Sequence, residues 1–289
     1  MVASPKPMLN LVHSVVLTAE LIVLGSLALT RNVSLLVNLI DPFYKMVGMN
    51  GLAPLLVAAD TTQDCYQVLS IFMFQLAILN LLMAKDLDFV VSTLVSRAIL
   101  VYLIMPASIL VGPVPHEAWL YVVLEGLQVL FLYISTNDAI ERGVRSIKAD
   151  PSFSTIPSRM AAVTTLGLGG SLVLQQAWYL IYPLDYLANA VGLEKLSTLF
   201  LNPHVIPMAA LCAQPVANLG FLYIWNDQNP RFLRFSVYLR ILFSGVVLPL
   251  LVFLNAGIPD SMYVFSIYDV VGAIYTQIYL FKRVPYKRA

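Results

Sequence analysis

Three carboxylic acids stand where the chain is otherwise apolar: Glu20 in "VLTAELIVL", Glu125 in "YVVLEGLQVLF" and Asp269 in "SIYDVVGAIY". A charged side chain near the centre of a bilayer costs at least about 2.5–3.5 kcal/mol on insertion scales, so such groups face a bundle interior or a wet cavity and take partners. In low dielectric a carboxyl keeps its proton, because desolvation disfavours the charged form. That state suits general acid catalysis near neutral pH. Protonating an epoxide oxygen or an alkene places positive charge on carbon, which aromatic faces stabilise, and the chain carries 15 Tyr, 14 Phe and 3 Trp. The acids Glu125, Asp269 and Glu20 are therefore the candidate catalytic groups.

Polar and aromatic side chains nearby are of the kind such a pocket needs. Gln75, Asn80, Gln128, Gln175, Gln176 and Asn218 are amides inside apolar stretches, and Gln128 follows Glu125 by three residues, which sets both on one helix face. Tyr268 and Tyr275 flank Asp269, and Trp178 closely follows the Gln175 and Gln176 pair. Carboxyls, amides and rings in an apolar bundle form a site for a lipophilic molecule with a polar end. Arg97 and Arg240 leave a second role open for the acids. Across tight helical hairpins they can reach Glu125 and Asp269, which would make each pair a structural clasp.

The elements that position these residues are membrane spans. Of 289 residues 59% are hydrophobic and 11% charged, with a mean hydropathy of +0.81, against roughly 25% charged in soluble domains. Hydropathy and turn signals predict spans at about 8–30, 66–84, 89–112, 117–136, 160–182, 205–225, 232–256 and 261–281. The first is expected to stay as a span, being too long for a signal h-region and lacking a cleavage signature. With both termini cytosolic, twelve Lys and Arg of loops and ends face the cytosol, against Arg31, Lys45 and Lys195 opposite. That bias supports the orientation and the span count; an endoplasmic-reticulum membrane is the expected location. On these spans Glu125 and Asp269 each lie about 12 Å past a helix start and Glu20 also falls near mid-membrane, so one shared cavity is expected.

The halves correspond. Arg97 and Pro106 match Arg240 and Pro249, each 143 residues on; Gln75 matches Asn218 at 143; Pro115 and Glu125 match Pro259 and Asp269 at 144. Two tandem four-helix units follow, 1–136 and 161–289, joined by a polar cytosolic linker over 137–160. Glu20 has no acidic counterpart, Gln175 or Gln176 taking its place in this reading.

Several function classes are disfavoured. No nucleotide, dinucleotide, haem or metal motif is present, and the "GLGLGGS" glycines follow no strand, so no cofactor and no metal are expected. Cys65 and Cys212 lack ligand or disulfide spacing and read as core residues. His13 and His204 form no metal spacing; His116 and Glu117 suit a helix start. A net charge of +1 points to no nucleic-acid partner. The "NVS" sequon at Asn32 lies close to the membrane.

An all-helical chain of this size with "VVLEGLQ" in a middle span and "SIYDVVGAIY" in the last resembles the small integral-membrane terpene cyclases of fungal meroterpenoid pathways and related membrane epoxide hydrolases or cyclases. That resemblance implies acid-triggered opening or cyclisation of an epoxidised isoprenoid or polyketide, with Glu125 and Asp269 as the working acids. Those cyclases look like seven-helix proteins whose first acid comes earlier, which keeps Glu20 as a rival. A looser likeness is to sterol-isomerase membrane proteins. The expected partners are a lipophilic small molecule and the bilayer. The other function class open to this sequence is a transporter or lipid- or sterol-binding protein.

Overall fold

A computed structural model describes residues 7–51, 60–112, 114–141, 156–173, 181–203 and 205–283. Gln175, Gln176 and Trp178, and the middle of the expected linker, lie outside these residues. All regular elements among the described residues are helical: α1 (Pro7–Leu29), α2 (Val33–Met46), α3 (Asp60–Met83), α4 (Leu87–Val111), α5 (Ala118–Glu141), α6 (Ile156–Val173), α7 (Ile181–Ala190), α8 (Ser197–Phe200), α9 (Ile206–Cys212), α10 (Gln214–Trp225), α11 (Pro230–Leu254) and α12 (Met262–Arg283).

Five stretches are long and apolar enough to cross a bilayer: Gln63–Met83, Leu87–Val111, Ala118–Asn137, Pro230–Leu254 and Met262–Phe281. This is consistent with an integral membrane protein. Shorter apolar stretches at Ser14–Leu29, Ala161–Gly170 and Ala209–Trp225 fall where the remaining spans are expected.

Helices α3 and α10 form the interior. Val68, Leu69 and Leu76 of α3 and Val216, Leu219 and Leu222 of α10 are buried, whereas α4, α5, α11 and α12 each present an apolar outer face. Helix α1 packs along α3, and α6 along α10. Glycine permits both approaches: a Cβ at Gly25 would lie 3.2 Å from the Phe74 ring, and one at Gly169 only 2.6 Å from the Ala217 backbone nitrogen. The "GLGLGGS" segment thus uses Gly169 for close helix packing.

Helices α4 and α11 are built alike. Each starts at a side-chain cap, Asp86 accepting from the Phe89 N–H and Asn229 from the Arg231 and Phe232 N–H groups. Each then runs as an α segment of 13 residues, a π segment of 5 and an α segment of 7. Proline accounts for the π turn. The rings of Pro106 and Pro249 would clash with the carbonyl four residues back in a regular helix. In the widened turn the Met105 N–H instead bonds to Leu100 O, and the Leu248 N–H to Phe243 O, each five residues back. The two caps also meet, Asn229 Nδ2 donating to Asp86 Oδ2 at 3.1 Å, and one turn on the Phe89 and Phe232 rings lie 6.0 Å apart.

Helix α2, at 14 residues, is too short to span, and the described part of α7 covers 10 residues. Helix α2 buries Val37 and Tyr44 against Ala28 and Tyr66 at the far end of α1 and α3, while Leu35, Leu39, Phe43 and Met46 remain exposed. Helix α7 buries Ile181, Asp185 and Ala188 and exposes Tyr182, Tyr186 and Leu187. Both end in a left-handed glycine, Gly48 at φ 74° and Gly192 at φ 76°, a conformation that a side chain would strain.

Candidate functional site

Glu125 is buried on α5, four residues after Tyr121 and three before Gln128, so the three share one face. Opposite them on α4 stands Arg97, also buried, which forms an ion pair with Glu125 Oε2. Removing two charges from water costs several kcal/mol per ion, and only close pairing with further hydrogen bonds offsets it. The further bonds are present. The same guanidinium nitrogen, Arg97 Nη2, donates to Gln128 Oε1 at 3.1 Å, and Tyr121 OH lies 3.4 Å from Glu125 Oε1.

Gln128 carries the chain one step further. With its oxygen turned to Arg97, its amide nitrogen points at α1 and donates to Glu20 Oε2 at 3.1 Å. An amide has one acceptor end and one donor end, so the cation on one side orients Gln128 for the acid on the other. Glu20 is half-buried at the seam of α1 and α5. The two acids therefore have different surroundings: a guanidinium holds Glu125, and an amide meets Glu20.

A cavity of about 30 Å³ borders this group, enough for one or two water molecules. Leu17 and Leu21 of α1, Leu76 of α3, Arg97, Leu100 and Val101 of α4, Tyr121 and Glu125 of α5, and Gln214, Pro215 and Asn218 of α10 line it. The π turn of α4 supplies Leu100 and Val101, so the widened helix borders the cavity. Ser96 donates to Asn218 Oδ1 and fixes that amide. Gln214 is buried with its Nε2 on Met105 Sδ, and its Oε1 has no partner among the described residues.

Asp269 belongs to a different setting. Arg240 on α11 donates through Nε to Asp269 Oδ1 at 2.7 Å and through Nη2 to the Asp269 carbonyl at 2.8 Å. Tyr223 of α10 places its ring centroid 5.7 Å from the same guanidinium, a cation–π contact. Gly272 leaves room for it, since a Cβ there would lie 2.5 Å from Arg240 Nη2.

Both arginine–acid pairs that the sequence left open as clasps form; Glu125, Arg97 and Asn218 line the cavity, and Gln128 and Glu20 extend from Arg97 by hydrogen bonds without lining it. Asp269 does not line it, so the single chamber expected from equal depth is not what the packing makes. Depth along a helix says nothing of rotation about its axis. Tyr268 and Tyr275 lie on the outer face of α12, and Gln75 is buried away from the cavity lining. Sequence reasoning missed Tyr121, Gln214 and Tyr223. Tyr121 was findable, standing one turn before Glu125; the other two come from α10 and required the fold. Among the described residues no cluster of His, Cys, Asp or Glu has a metal-binding arrangement. No family model, curated protein or solved structure matches the chain.

Proposed function

We propose that the chain is a cofactor-free membrane enzyme that opens, cyclises or isomerises an epoxidised lipophilic molecule, with Glu20 and Glu125 as its acid and base. The observation that carries this reading is the unbroken series Glu20, Gln128, Arg97, Glu125, whose last two members line a water-sized cavity. Carboxyls in unlike environments divide acid and base roles. Glu20, with an amide for a neighbour, donates the proton to the epoxide oxygen. Glu125, held by Arg97, accepts one from water or from the carbocation.

We further propose eight spans in two tandem units, with both termini cytosolic in an endoplasmic-reticulum membrane. Supporting the repeat, Gly25 faces Phe74 as Gly169 faces Ala217, and Gly48 precedes Gly192 by the same 144 residues that separate Glu125 from Asp269. The 144-residue offset between Gly25 and Gly169 supports a register in which Thr164, rather than Gln175 or Gln176, corresponds to Glu20. On that register Tyr121 and Gln128 correspond to Phe265 and Gly272. The first unit thus carries a site where the second keeps a clasp, and Asp269 is a structural acid in this reading. The likeness to membrane terpene cyclases is retained as one of chemistry.

Purified protein incubated with a terminally epoxidised farnesyl arene should yield a product of changed structure. Glu20→Gln and Glu125→Gln should each lower the rate at least about a hundredfold, the usual scale for a general acid or base, while Asp269→Asn, if folded, retains it. Full activity in both glutamine variants removes the assignment.

A second reading, a transporter or lipid-binding protein, is favoured by the small cavity and by the π turns and prolines at matching places in α4 and α11, since interrupted helices in paired repeats are a transporter feature. Movement of the molecule across a vesicle without chemical change would select it.

A further inference from the structure

A cavity of about 30 Å³ is far below the several hundred cubic ångströms that enclose a drug-sized ligand. Whatever binds beside Glu125 therefore inserts only its polar end, and the rest stays elsewhere. Glu20 shows where. On α1 it has Val16 and Val23 on either side, both exposed, and across the seam Leu124 and Leu127 of α5 are exposed as well. These apolar side chains face outward on α5, which is long and apolar enough to span, and on the shorter apolar stretch of α1, so Glu20 stands between an apolar outer face and the polar series.

We propose that the seam between α1 and α5 is a lateral binding site, open to the bilayer, for the polar end of a long-chain alcohol or epoxide, with Glu20 at its mouth. Two observations support it independently. The Gln128 amide presents Glu20 to the seam while the guanidinium behind it stays engaged with Glu125. At the inner end, Gln214 is 97% buried on its 3% exposure and lines the cavity with an oxygen that no described residue satisfies. A buried acceptor left without a donor is destabilising. A hydroxyl, or a water carried with an epoxide, supplies that donor. The site deepens the enzymatic reading by giving the route of entry, but it requires only that the Glu20 carboxyl be reachable from the seam, whichever reaction follows.

The test uses the intact protein in lipid nanodiscs and dicyclohexylcarbodiimide, a membrane-soluble reagent for carboxylic acids. The acid proton adds to a carbodiimide nitrogen and the carboxylate oxygen to its carbon, and the adduct rearranges to a stable N-acylurea. Mass spectrometry should locate the adduct at Glu20, with Glu125 and Asp269 unmodified. Glu20→Gln should abolish it and Glu20→Asp keep it at position 20, which separates loss of the carboxyl from loss of fold. Dodecanol should slow labelling several-fold, and ethanol at the same concentration should not. Absence of the Glu20 adduct, equal labelling of Glu125, equal labelling by a water-soluble carbodiimide, or no protection by dodecanol overturns the proposal. Labelling and protection without turnover of the epoxide would remove the enzymatic reading and leave the binding site standing.

Discussion

At the residue scale the central feature is that one arginine serves two acids through different routes. Arg97 neutralises Glu125 directly and orients Gln128 toward Glu20. Arg240 does only the first of these for Asp269. Buried pairs of this kind are weak evidence for net stability, but breaking one strands a charge. Arg97→Leu or Arg240→Leu alone should destabilise the protein by about 3–5 kcal/mol, and the doubles Arg97→Leu/Glu125→Leu and Arg240→Leu/Asp269→Leu should recover most of that loss. Denaturation in mixed detergent measures it. Doubles no better than the singles would show that the pairs carry specific hydrogen bonding which leucines cannot replace.

Among the elements, α2 and α7 have a physical problem that the bundle does not solve. Each covers the core with one face and exposes apolar side chains on the other, Leu39, Phe43 and Met46 in the first, Tyr182, Tyr186 and Leu187 in the second. At 1.5 Å per residue α2 is about 21 Å long, short of the roughly 30 Å hydrocarbon core, and the described part of α7 is about 15 Å. An interfacial placement of these helices would cover such faces with lipid. With Cys65 and Cys212 replaced by alanine, bimane attached at Phe43→Cys or Leu187→Cys should be quenched by shallow nitroxide-labelled lipids and not by aqueous iodide. Iodide quenching at both positions would place these faces in water. The α4 and α11 helices show the complementary case, in which a proline is accommodated by a π turn without breaking the span.

For the whole molecule, Lys85 and Glu194, both exposed, lie on opposite sides of the membrane in the proposed topology. Cysteines placed at these positions should react with an impermeant maleimide from opposite faces of sealed vesicles; labelling from one face would remove the eight-span arrangement. Much of this molecule is legible in its sequence because hydrocarbon permits so little. Backbone groups in lipid must bond within their own helix, so apolar runs mark helices. A buried charge must find its opposite, so Arg97 with Glu125 and Arg240 with Asp269 were readable as pairs before any fold was known. Tertiary structure alone decided which acids are linked to one another. Rotation about each helix axis, set by packing at Gly25, Gly169 and the π turns, turns Glu20 and Glu125 toward one another through Gln128 and leaves Asp269 against Arg240 and Tyr223. Hydropathy measures depth and is blind to that rotation, because lipid rewards any apolar outer face equally whichever neighbour the polar side meets.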